Sequence, residues 1–196
     1  MESLSQKLEL LQLQLPEFQL FCGVPAYEYF VSHSLRPGNK NTKADLSVII
    51  DFPWGYALKH MRKHGMSLQT VVLTDNPCCE YWEDVWDCQP NILLAGGHGF
   101  TQLAISMCDA VLGKRYKKIP SVVSKISSTE RAVLSRAAEG KSNKEIALDL
   151  QISEYTVRNY LSQISNKLGF SSRIEAGFYY WGLWHLLGKE FTHRQI

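Results

Sequence analysis

The sequence predicts an α/β domain built on a parallel sheet over residues 1–113, a linker over 114–125, and an all-α domain of four helices over 126–196. Three observations point there. In the first part, short apolar runs rich in β-branched or aromatic residues alternate with helical segments, as in a parallel sheet with helices on its faces. In the second part every signal is helical, and the helix starts are marked by capping residues. The charge divides at the same place: residues 1–113 hold 7 Lys and Arg against 12 Asp and Glu, net −5, while 114–196 hold 14 against 7, net +7. A cationic second domain suits a polyanion, because neutralising phosphates releases their counterions.

The 196 residues suffice for one ordinary domain and a smaller one, and 45% hydrophobic with 20% charged residues excludes a disordered or fibrous chain. No stretch approaches the ~20 apolar residues of a membrane span. The first residues lack a secretory pattern, so a cytoplasmic location and no membrane partner are expected. The five cysteines, Cys22, Cys78, Cys79, Cys88 and Cys108, are odd in number and contain no Cys-x-x-Cys pair. That argues against a disulfide framework or a zinc ribbon.

In chain order, Phe18 to Cys22, Leu46 to Ile50, Thr70 to Leu73 and Asn91 to Leu94 read as strands. Gly55 to His64, with Ala57, Leu58 and Met61 on one face, and Phe100 to Leu112 read as helices. Asp51 and Thr74 then stand at the carboxyl ends of their strands, the edge where open α/β sheets place their sites. Lys114 to Ser121, basic and ended by Pro120, lacks helical periodicity and reads as the linker. Beyond it, Ser127 to Glu130, Ser142 to Glu145 and Ser172 to Glu175 each have capping-box spacing, Ser153 is a further N-cap, and Gly140 and Gly169 end helices. Helices near 128–139, 143–150, 154–168 and 173–187 follow.

Ile146, Ala147, Leu150, Ile152, Val157, Leu161, Ile164 and Leu168 form the inward face of two helices joined by a tight turn. This is helix-turn-helix geometry, in which the second helix enters the major groove of DNA. The string Thr129-Glu130-Arg131, Val133-Leu134, Glu139-Gly140, Ser142 to Ala147, Ile152-Ser153, Thr156 to Asn159, Lys167 to Gly169 and Ser172 to Ala176 resembles the C-terminal domain of the LuxR/NarL/FixJ regulators. The resemblance covers about a third of the chain and implies a sequence-specific, dimeric transcription regulator that binds double-stranded DNA. It places Arg158, Asn159 and Ser162 at base edges and Lys144, Thr156, Lys167 and Arg173 near phosphates. Arg and Asn suit guanine and adenine edges, while Ser, Thr and Lys suit the backbone. Relatives often carry His at Tyr160 and Lys at Ser162 and Asn166, so this helix is less cationic, and dimerisation or the basic linker must contribute more of the affinity. The last helix is rich in aromatic residues, and Phe178, Tyr179, Trp181 and Trp184 are the expected dimer surface, with Ala176, Tyr180, Leu183 and Leu187 facing the core.

Such regulators often carry a phosphoacceptor receiver domain, and the first domain resembles a degraded one. Asp45 to Asp51 resembles the strand before the phosphorylated aspartate, Val71 to Thr74 the strand before the switch hydroxyl, and Asn91 to Ala95 the last strand. Phosphorylation needs Mg²⁺ on an acidic pair and a charge-balancing lysine. The corresponding positions here are Cys22-Gly23 and Ala95, and the stretch from Cys22 to Asp51 is short for its role. Asp51 and Thr74 are therefore expected to be inactive relics, with regulation independent of aspartate phosphorylation and with no metal or cofactor.

The input remains open. A small ligand or a partner protein could sit at the sheet edge near Asp51, Trp54, Thr74 and Gly96-Gly97-His98-Gly99; these could equally be ordinary loop residues. Cys78, Cys79 and Cys88 are redox candidates or small buried groups. His60 and His64, one helical turn apart, are metal candidates or a solvated face. No catalytic motif is present, which argues against an enzyme. The alternative function is a regulator that acts on another transcription factor rather than on DNA.

Overall fold

The computed structural model describes residues 15–34, 46–65 and 68–190, which divide into two units. The first comprises the chain to Asn76 and Trp82–Pro120, the second Pro77–Tyr81 and the chain from Ser121 onward.

The first unit is a five-stranded parallel sheet: β1 (Phe18–Cys22), β2 (Leu46–Ile50), β3 (Gln69–Thr74), β4 (Ile92–Ala95) and β5 (Tyr116–Lys118), each hydrogen-bonded to its chain neighbour. The helices between them are α1 (Pro25–Ser34), α2 (Tyr56–His64), α3 (Cys79–Asp87) and α4 (Phe100–Val111). Both sheet faces are apolar, as covered parallel sheets require. Leu46, Val48, Val71, Ile92 and Leu94 pack in one cluster with Val31 of α1 and Leu103, Ala104, Met107 and Ala110 of α4. Ile49, Val72 and Leu93 are buried on the other side by the strand alternation.

Two expectations change here. The stretch read as linker holds β5, in register with β4 through Ile92 and Tyr116. Three residues sufficed because Tyr116 is half-buried, its hydroxyl bonding Ser106 and Asp109. The basic groups of that stretch are also occupied: Lys114 pairs with Asp109 at 2.6 Å and Lys117 with Glu83 at 2.5 Å, and Arg115 lies over the Trp86 ring. In addition, α1 and α3 were not anticipated. A receiver-like sheet has strand order 2-1-3-4-5. Here the order of the described strands is sequential, with β1 at one edge. Asp45 lies outside them.

The second unit is helical: α5 (Ser128–Ala138), α6 (Asn143–Leu150), α7 (Glu154–Leu168), α8 (Arg173–Tyr180) and a 3₁₀ turn (Trp184–Leu187). Full capping boxes form at Ser127/Glu130 and Ser142/Glu145. At Ser172 only half forms, since Glu175 accepts from Ser171 N–H instead. The expected helix to 187 breaks after Tyr180, with Gly182 at positive φ before the 3₁₀ turn. Val133, Leu134, Ile146, Val157, Ile164 and Tyr180 form the core.

Candidate nucleic-acid interface

The α6–α7 corner follows from local chemistry. The Ser142–Glu145 box opens α6, and the helix ends where Gln151 turns left-handed at φ 55, letting Ile152 N–H reach Ala147 O at 3.0 Å. Ser153 then caps α7 by accepting from Thr156 N–H at 3.0 Å. Val157 and Ile164 bury one face of α7. The opposite stripe, Tyr155, Arg158, Asn159 and Ser162, is exposed, and these positions share a face because they are three, four and seven residues apart. Tyr155, 68% exposed, was missed. Its spacing from Arg158 and Asn159 was a usable signal.

The other predicted residues separate into two groups. Lys144 is exposed at the start of α6, and Thr156 is half-buried with its hydroxyl 2.8 Å from Ser153 Oγ. Lys167 and Arg173, by contrast, hold the fold together. Lys167 Nζ donates to both carboxylate oxygens of buried Glu130 at 2.7 and 2.8 Å. Burial pushes the Glu130 pKa up, but the Lys167 ammonium and the Ser127 N–H outweigh it and hold the carboxyl below its ordinary value. Arg173 donates to Asn143 Oδ1 at 2.9 Å and to Lys141 O, pinning the start of α8 to the start of α6. Both side chains nonetheless remain exposed to solvent.

The dimer expectation also changes. Tyr179 and Trp184 are buried: their rings meet edge-on at 4.9 Å and both pack on Phe170. The Tyr179 hydroxyl donates to Glu80 at 2.8 Å within the same unit. Phe178 and Trp181 remain half-exposed, and Ile174, 69% exposed, shares the Phe178 face four residues earlier. Tyr180 and Ala176 face the core as expected, whereas Leu187 is exposed and Leu183 only half-buried.

In the first unit, Asp51 and Thr74 do meet. Asp51 is 3% exposed; Oδ1 accepts from Gly55 and Ala57 N–H at 3.0 and 2.9 Å, and Oδ2 accepts from the Thr74 hydroxyl at 2.7 Å. The carboxylate thus caps α2 and ties β2 to β3. At Gly23 a Cβ would stand 2.8 Å from Phe52 O and 2.9 Å from the Tyr56 ring, so no acidic side chain fits there.

Cys78 and Cys79 donate to Glu80, and burial first, then that carboxylate, pushes both thiols far up, away from the nucleophilic thiolate. Burial likewise raises Cys88. His60 and His64 stack at 4.8 Å, and burial, then His64, lowers the His60 pKa. Among the described residues no third ligand joins them, and no helix is long and apolar enough to cross a membrane.

Residues 124–179 match the family model described as bacterial regulatory proteins, luxR family. The chain is 43% identical over 51 residues to the spore germination protein GerE of Bacillus subtilis (strain 168), covering 26% of this chain and 69% of GerE. It is 30% identical over 132 residues to the uncharacterized transcriptional regulatory protein YvfU of the same strain, covering 60% of this chain. The chain spans less than two thirds of that longer relative, 62% of it. Among solved structures it is similar to two RcsB dimers bound to two parallel DNAs, at 19% identity and a TM-score of 0.48, covering 84% of this chain and 97% of that one.

Proposed function

Because this chain belongs to the luxR family of bacterial regulatory proteins, we propose that it regulates transcription by laying α7 in the major groove of double-stranded DNA. The observation that supports this reading is the exposed stripe of Tyr155, Arg158, Asn159 and Ser162, whose opposite face is buried in the helical core. Arg158 reads guanine O6 and N7, Asn159 adenine N6 and N7, and Tyr155 offers an apolar surface to a thymine methyl. Lys144 and Thr156 orient the helix on phosphates.

The protein acts as a homodimer through the Ile174–Phe178 face of α8 and the half-exposed Trp181, which together place two recognition helices on adjacent half-sites. Regulation does not pass through phosphorylation of Asp51. Its oxygens already cap α2 and bind Thr74, Gly23 leaves no room for an acidic Mg²⁺ ligand, and Ala95 stands where a charge-balancing lysine would be.

The test is selection of duplex DNA by the purified protein at stated salt, followed by Arg158→Ala. The variant is expected to lose about 1–3 kcal/mol of binding and to relax discrimination at one base pair. Unchanged affinity and specificity would refute the role of α7. Treatment with acetyl phosphate and Mg²⁺ is expected to leave the intact mass unchanged; a labile adduct on Asp51 would overturn the phosphorylation-independent reading.

A further inference from the structure

The carboxyl edge of the parallel sheet carries a cleft of about 260 Å³, just under the ~300–1,000 Å³ of typical small-molecule sites and therefore suited to a small metabolite. Its floor is apolar, from Ile50 and Leu73 at the ends of β2 and β3. Its walls bear four aromatic rings, Tyr27, Phe52, Trp54 and Phe100. Tyr27 and Phe52 lie 5.4 Å apart, tilted by 43°, and stand 42% and 48% exposed. A folded domain gains nothing by grouping exposed rings around a hollow unless something covers them.

The charged side chains of the lining, among the described residues, have one sign. Asp51 and Asp75 contribute two carboxylates, and no Lys or Arg lines the cleft among the described residues. Asp75 is exposed, with Oδ1 held by the Gly97 N–H at 2.9 Å. His98 Nε2 lies 3.0 Å from Lys118 O. A carbonyl only accepts, so Nε2 is the donor in this contact. The α4 N-terminus at Gly99 has no side-chain cap and favours an anion, but its dipole amounts to roughly half a positive charge against two full negative ones.

We propose that this cleft binds a small organic cation, an ammonium group on an aromatic or apolar body. The ammonium lies against Asp75 and the ring faces, where the negative quadrupole attracts a cation, and the body fills the apolar floor. This goes beyond the DNA-binding reading and does not depend on it.

The experiment uses the full chain without DNA, so the outcome is separate from that of the selection assay. Three probes of nearly one shape are titrated by calorimetry and by ¹⁵N chemical-shift mapping: phenethylammonium, 2-phenylethanol and 3-phenylpropionate. Phenethylammonium is expected to bind about tenfold more tightly than the alcohol, with shifts centred on Gly99 and Phe100, while the carboxylate binds weakest. Asp75→Asn, which keeps an acceptor for Gly97 N–H, is expected to lose about tenfold for the cation and little for the alcohol. Phe52→Leu is expected to weaken both. Equal affinity for the cation and alcohol, preference for the carboxylate, shifts elsewhere, or no binding by any of the three would overturn the assignment.

Discussion

The two units use their motif residues in opposite directions. In the sheet unit, Asp51 and Thr74 are 3% and 1% exposed and bind each other and the α2 N-terminus. In the helical unit, Arg158, Asn159 and Ser162 face solvent while their neighbours Val157 and Ile164 make the core. The difference teaches that residue type at a motif position is not chemistry. A carboxylate whose lone pairs already hold N–H and O–H groups is structural, whereas a guanidinium on an exposed stripe stays open to other molecules.

That contrast can be tested by damage to each side. The largest effect is expected from Asp51→Ala, which removes the α2 cap and leaves the Gly55 and Ala57 N–H groups and the Thr74 O–H without their acceptor, at a cost of about 2–4 kcal/mol. Chemical denaturation measures it, and a stability change within ~0.5 kcal/mol, the range of surface substitutions, would mean the residue is as dispensable as a spent phosphoacceptor. Tyr155→Ala should leave stability unchanged and weaken DNA binding, by less than Arg158→Ala does; a loss of stability would place this ring in the fold instead.

Glu130 sharpens the comparison within the helical unit. Because the folded-state pKa lies below the ordinary value, its contribution is fully present above pH ~4.5 and is lost as pH falls through the lowered pKa. Glu130→Gln keeps an acceptor for Ser127 N–H but removes the ion pair with Lys167, and it should cost ~1–2 kcal/mol at neutral pH while flattening the acid limb. A wild-type acid limb in the variant would show that Lys167 is available for phosphate after all. The smallest effect is expected at Gln151, left-handed at φ 55. Gln151→Gly should stabilise by a few tenths of a kcal/mol, up to ~1, read as a small rise in the denaturation midpoint.

Legibility followed the range of the interactions. The bounds of α6 and α7 were readable because a capping box spans four residues, and Ser142, Glu145 and Ser153 lie within that reach. The cores of β1 and β2 were readable from short apolar runs, interrupted only by Gln19 and Ser47. Strand β5 was not, since three residues with two lysines resemble a linker until β4 lies beside them. The Lys167–Glu130 pair was not readable because the two lie 37 residues apart, and the aromatic run of α8 could not reveal that Tyr179 and Trp184 close on Phe170.

The sequence alone determined the two-part division, the helix-turn-helix pattern and Arg158, Asn159 and Ser162 on its outer stripe, because helix periodicity and capping act over one or two turns. Tertiary structure decided what each polar group faces: Asp51 the backbone of α2, Lys167 a buried carboxylate, and Tyr27, Phe52, Trp54 and Phe100 a common cleft. Those outcomes depend on segments distant in the chain meeting at hydrogen-bond or van der Waals range, and no local pattern encodes which partner will arrive.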